Sequence, residues 1–119
     1  MKVENTQAQM RKGVLEYCIL SALHQKGEMY ASDIIDVMKE AKLIVVEGTL
    51  YPLLTRLKNA GLLNYRWQES ASGPPRKYYF LTNEGHHFLT KLDETWHEMV
   101  HAVHYITQKQ NYYEENSHY

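Results

Sequence analysis

Six apolar residues in the C-terminal third of the chain, Leu89, Leu92, Trp96, Met99, Val103 and Ile106, follow one another at intervals of 3, 4, 3, 4 and 3 residues. This is the a/d heptad of a helix whose apolar seam packs against another helix. Thr82 stands ahead of the pattern as an N-cap, and nothing breaks it between residue 83 and about residue 111. A helix of about 28 residues runs about 42 Å at about 1.5 Å per residue. The whole chain has 119 residues, room for one modest core plus one appended element. So long a helix overhangs a domain of that size, and its seam asks for a second chain. The expectation is a small domain over residues 1–82, a dimerisation helix over 83–111 and a flexible polar tail over 112–119.

The same segment contains His97-Glu98-Met99-Val100-His101, a match to H-E-x-x-H. In zinc hydrolases two such histidines bind the metal and the glutamate acts as general base on its water. Only three of the five positions are fixed, so the pattern arises easily by chance. With Leu89, Trp96 and Val103 at a, His97 and His104 fall at b and His101 at f, away from the seam. A catalytic zinc needs a third ligand, an open position and a dry cleft, and a solvent-facing helix supplies none of them. Glu114 and Glu115 are third-ligand candidates only from the tail. A zinc-dependent hydrolase is therefore the alternative to the main reading below, in which the chain is not an enzyme and needs no cofactor. Weak metal capture by His97, His101 and His104 remains open.

Charge is distributed unevenly along the chain. Residues 1–46 carry six basic and six acidic residues; residues 47–82 carry five basic against two acidic, a net +3; residues 83–119 carry two basic against six acidic, a net −4. A basic middle between neutral and acidic flanks points to a polyanion met by the middle alone. No apolar run approaches a membrane span, and the polar start MKVENTQAQMRK lacks the apolar stretch of a signal peptide. A single cysteine, Cys18, permits no internal disulfide. These features lead to the expectation of a cytoplasmic protein without membrane contact.

Residues 7–26 read as a helix, with Val14, Leu15, Cys18, Ile19, Ala22 and Leu23 forming one stripe and Gly27 ending it. Cys18 lies in that stripe as a core thiol. A second helix fits 30–41, with Ser32 or Asp33 supporting its N-terminus. LIVV (43–46) is either a brief strand or an apolar loop. A third helix fits about 47–60: Leu50, Leu53, Leu54 and Leu57 face inward, Pro52 sits in the first turn and Gly61 caps the end. This leaves Gly48, Thr49, Tyr51, Thr55, Arg56 and Lys58 on the outside. LLNYRWQE and RKYYFLT read as two strands of a hairpin or wing over about 63–82, joined by the turn-rich SASGPP (70–75), with Arg76 and Lys77 at the exit of a long tip.

Three helices, a hairpin and a long last helix compose a mainly α (α+β) winged helix-turn-helix with a C-terminal dimerisation helix. Its exposed chemistry suits double-stranded DNA. The N-terminus of the third helix offers unpaired N–H groups to phosphates. Gly48 and Thr49 allow close backbone approach, Tyr51 and Thr55 can hydrogen-bond, and Arg56 and Lys58 add charge. In the wing, Gly73 with Pro74 and Pro75 makes a narrow tip that presents Arg76 and Lys77 to a backbone or minor groove. A winged helix that binds another protein is a further alternative.

At EGTLYPLLTRLKNAGLL (47–63) and GPPRKYYFLTNEG (73–85), with MYASDI (29–34) as a diverged upstream segment, the chain resembles the PadR family of bacterial transcriptional regulators, over roughly residues 10–108. The resemblance implies a homodimeric repressor whose first and last helices build the dimer, whose third helix enters the major groove of operator DNA and whose wing touches flanking DNA. A single C-terminal helix is similar to the short branch of the family. Some short members carry a tryptophan midway along that helix and pair two indoles around a flat aromatic compound; Trp96 occupies that position, with Tyr17 nearby as a second ligand-binding candidate. Trp96 read as a packing residue alone is the competing account. Glu16, Tyr17 and Asp93 are acidic or bulky for an open pore, and Pro75 departs from the longer wing tips common in the family.

Overall fold

The structure, a computed structural model, describes residues 1–108. The elements, in chain order, are α1 (Val3–Lys26), β1 (Glu28–Met29), α2 (Ala31–Glu40), α3 (Glu47–Asn59), β2 (Leu63–Ser70), β3 (Gly73–Leu81) and α4 (Asn83–Thr107). The chain divides into two compact units, Met1–Leu89 and the part from Thr90 onward. The expected tail, 112–119, with Glu114 and Glu115, lies outside the described residues.

The first unit is built around one core. Ile19, Leu20 and Leu23 of α1, Ile34 of α2, Leu50, Leu54 and Leu57 of α3 and Leu63 of β2 are almost completely buried. Each such side chain contributes about 1.5–3 kcal/mol of transfer free energy. Val14 and Cys18 are only half-buried, because the α1 stripe rotates toward Leu20 as the helix enters the core. Burial pushes the Cys18 thiol above its ordinary pKa. α1 also starts earlier than the apolar periodicity suggests, at Val3, and residues 1–13 are exposed throughout. The apolar stripe marks the part of α1 that is packed, not its length.

Local chemistry sets the ends of the elements. Asp33 accepts a hydrogen bond from the Tyr30 N–H at 3.0 Å and holds the start of α2. Gly27 and Gly61 adopt positive φ, 86° and 81°, which only glycine takes without strain, and they end α1 and α3. Residues 43–46 form a loop that buries Val45 while leaving Ile44 and Val46 exposed. Thr82 caps α4: its Oγ1 accepts from the Gly85 N–H at 3.0 Å and donates to the Gly61 carbonyl at 2.6 Å.

The sheet differs from the expected hairpin in two respects. It has three antiparallel strands in the order β1-β3-β2. β1 is two residues long, too short for any alternation to be seen in sequence. The hairpin tip is also short. Ser70 pairs with Gly73, so only Ala71 and Ser72 turn, and Gly73-Pro74-Pro75 belongs to β3 rather than to a long tip. Register shifts between Gln68 and Ser70, so that Pro74 and Pro75 together oppose Glu69. A bulge of this kind tolerates the missing proline N–H groups. β1 pairs β3 only at Tyr79 and Phe80, so β3 has an open edge at the prolines. Arg76 and Lys77 consequently lie inside β3, opposite Gln68 and Trp67.

Candidate nucleic-acid interface

α3 turns its four leucine positions inward, with Leu50, Leu54 and Leu57 buried and Leu53 half-buried. At 3.6 residues per turn the opposite face carries Gly48, Pro52, Thr55 and Asn59, spaced 4, 3 and 4 apart and all exposed. A Cβ at Gly48 would meet nothing within 4 Å, so this face is open to a ligand's surface. Asn59 was not evident as a site residue from sequence; it completes the row because the helix runs one turn past Thr55 before Gly61 stops it.

The flanks of this face are engaged in different ways. On one side Arg56 bridges to Glu16 of α1 at 3.0 Å, its side chain still 71% exposed. Its charge is therefore shared with α1, and Thr49 lies on the same flank. On the other side Tyr51 is 46% exposed, and the Lys58 ammonium stands 5.6 Å over the Tyr65 ring of β2.

The wing continues that second flank. Tyr65, Trp67, Lys77 and Tyr79 share one face of the hairpin, since Tyr65 pairs with Tyr79 and Trp67 with Lys77. Lys77 sits 4.6 Å from the Tyr65 centroid and 5.5 Å from that of Trp67, and the two rings meet edge to face at 5.8 Å. Ring faces attract and orient these cations without neutralising them. On the opposite face Arg76 stands 5.5 Å over the Tyr30 ring, and Tyr30 stacks at 4.4 Å on Tyr78. Arg66 is held in place by Glu28, with contacts of 3.2 and 2.8 Å, and its donation keeps the Glu28 carboxyl below the usual range. Burial, and then the neighbouring Tyr51 and Tyr65, push the Tyr79 hydroxyl upward.

Between the wing and the starts of α2 and α3 lies an open cleft of about 410 Å³, lined among others by Tyr30, Ser32, Tyr51, Trp67, Arg76 and Lys77. The structure thus brings Tyr51, Arg76 and Lys77 together around one cleft and leaves Arg56 on the far flank. Trp67, 62% exposed, and Tyr30 are two large aromatic residues in the open cleft that do not stand out as site residues in sequence. Trp67 continues the inward alternation of Leu63 and Tyr65, and so reads as core.

In the second unit, Trp96, Met99, Val103 and Ile106 of α4 are 39, 53, 55 and 77% exposed in the single chain. Leu92 is half-buried, while Leu89, the last residue of the first unit, is committed to its own core. Tyr17 is half-buried on α1. His97 Nδ1 lies 2.8 Å from the Asp93 carbonyl of its own helix, and His101 and His104 are exposed. Among the described residues no three His, Cys, Asp or Glu side chains gather in a way that could hold a metal ion. No helix among them is long and apolar enough to cross a membrane.

Comparison with known proteins identifies this arrangement. Residues 19–91 match the model of the transcriptional regulator PadR-like family. A PadR-like transcription factor from Bacteroides fragilis is 62% identical, with 86% of this chain and 98% of that chain covered and a TM-score of 0.73. A PadR family transcriptional regulator from Eggerthella lenta superposes with a TM-score of 0.80 at 30% identity, covering 90% of this chain and 93% of that one. PadR of Bacillus subtilis, solved in complex with operator DNA, matches with a TM-score of 0.61 at 30% identity over 66% of this chain and 46% of that chain. No curated protein gave a significant match. By the extent of the family match and by its identity to solved members, the chain belongs to the PadR-like family of transcriptional regulators.

Proposed function

We propose that the protein binds double-stranded operator DNA as a homodimeric repressor. The observation that carries this reading is the cleft side of the first unit: an open α3 face of Gly48, Pro52, Thr55 and Asn59, bordered by Tyr51 and by the cationic, aromatic wing. The α3 N-terminus directs its N–H groups and positive potential at a phosphate. The bare Gly48 backbone lets α3 settle deeply in a major groove, where Thr55 and Asn59 reach base edges. Lys77 and Arg76, held over aromatic rings, meet the flanking backbone, and Trp67 adds a flat apolar surface. Arg56, shared with Glu16, contributes long-range attraction more than a fixed contact. The operator complex of the Bacillus subtilis relative supports the same use of the fold.

The exposed α4 stripe of Trp96, Met99, Val103 and Ile106, with Leu92, supports dimerisation, since apolar patches of this kind mark interaction surfaces. Two protomers joined there carry two α3 helices, one for each half-site of an operator. A flat aromatic effector held by Trp96, with Tyr17, relieves repression if it binds one spacing better than the other.

Fluorescence anisotropy with duplex DNA from upstream of the protein's own gene tests this reading. Binding is expected to weaken steeply with salt, Tyr51→Ala or Arg76→Ala is expected to reduce affinity by about tenfold, and Arg76→Ala alone is expected to lower the salt slope, by about one. No binding at low salt overturns the DNA reading. Undiminished binding after charge reversal at both Arg76 and Lys77 turns it toward a protein partner.

A further inference from the structure

We propose that His24 and His86 form a two-histidine site for a divalent transition-metal ion. His24 lies in the last turn of α1 and His86 in the first turn of α4, 62 residues apart in sequence. Their Nδ1 atoms face each other at 3.2 Å, with ring centroids 5.3 Å apart and planes at 74°. Two imidazole nitrogens that bind one zinc ion at about 2.0–2.1 Å in a tetrahedral site lie about 3.3–3.4 Å from each other. The pair already has that bite.

Without metal, a hydrogen bond between the two Nδ1 atoms requires one ring to carry the proton there and the other to lack it. With metal, both rings are neutral and both Nδ1 lone pairs point at the ion. Imidazole donors select zinc, cobalt, nickel or copper over magnesium and calcium. Both side chains are exposed, so water fills the remaining positions.

Rigid backbone stands behind each ligand. The α1 end is closed by the Gly27 N–H bonded to the Leu23 carbonyl at 2.8 Å. The α4 start is fixed by the Thr82 cap and by Gly85 pressed on Leu62. Preorganisation of this kind strengthens binding by two ligands that would hold an ion weakly on mobile supports. The bound ion staples the end of α1 to the start of α4 and stabilises the folded state by mass action. This site is separate from the H-E-x-x-H segment, and the proposal does not depend on DNA binding.

The test uses the full chain carrying His87→Gln, His97→Gln, His101→Gln, His104→Gln and His118→Gln, which removes the competing histidines. Titration with Co²⁺ and with Zn²⁺ is expected to show one ion per chain, with cobalt d–d absorption and a raised unfolding midpoint. Loss of an outer-sphere partner already weakens metal sites by about 10–100-fold, so adding His24→Gln or His86→Gln is expected to weaken binding by at least about tenfold. In the unsubstituted protein, Zn²⁺ is expected to protect His24 and His86 from diethyl pyrocarbonate, a readout that needs no variant to fold. Absence of binding up to about 1 mM metal, a smaller loss in either added variant, or labelling of His24 and His86 undiminished by Zn²⁺ overturns the site.

Discussion

Replacing Gly85 with alanine adds one methyl group at the most crowded glycine of the first unit. A Cβ at Gly85 would lie 2.0 Å from the Leu62 carbonyl oxygen, 3.0 Å from its carbon and 3.4 Å from Leu81 Cδ2. Carbon–oxygen contacts settle at about 3.3–3.6 Å, so the α4 start or the β2 start must move by more than about 1 Å. The obstructing atom is backbone and cannot swing aside. It also accepts the Thr82 N–H at 3.1 Å, and the Gly85 N–H is the donor to the Thr82 cap, so either displacement strains a hydrogen bond. Overpacking costs about 1–3 kcal/mol, a weakened hydrogen bond about 0.5–1.5 kcal/mol, and alanine regains about 1 kcal/mol of helix propensity. The expected net destabilisation is about 0.5–3.5 kcal/mol, a fall of roughly 3–18 °C in Tm. Urea denaturation followed by far-ultraviolet circular dichroism, at fixed protein concentration because association adds to apparent stability, measures it. A Gly85→Ala protein within about 0.5 kcal/mol of the parent, the range of an inert surface change, would refute the close approach.

Gly48→Ala is the counterpart on an open face: with nothing within 4 Å of the new methyl, it is expected to stabilise the fold by up to about 1 kcal/mol while lowering DNA affinity, and unchanged anisotropy would show that α3 does not use its bare backbone. Leu92→Asp and Val103→Asp are each expected to yield monomers in sedimentation, and a dimer that survives both removes α4 as the seam. Acid is expected to loosen the sheet edge at Glu28. Its carboxyl has a folded pKa below the unfolded one, so the Arg66 pair stabilises above the ordinary carboxylate range and is lost as pH falls through the depressed value. Glu28→Gln should abolish that component of the pH profile without altering stability below it, and a profile identical to that of the parent would discount the pair.

Much of this protein is legible in one dimension because periodicity is a local property. The leucine spacing in 50–57, the glycines at 27 and 61 and Thr82 before α4 each specify an element or its end through bonds made within a few residues. The cations of the wing and the aromatic Tyr51 were visible as side chains that the core does not need. What the spacing could not convey is where the core stops. Leu63, Tyr65 and Trp67 alternate as one inward face, yet burial falls along it from complete to half to 62% exposed for Trp67, because the hairpin outgrows the body beneath it. The two-residue β1, the bulge that folds Pro74 and Pro75 into β3, the bridge that draws Arg56 toward Glu16 and the meeting of His24 with His86 all join residues distant in sequence. Those contacts depend on how helices and strands of given length pack in space, a geometry that no pattern along the chain contains and that only the tertiary structure decides.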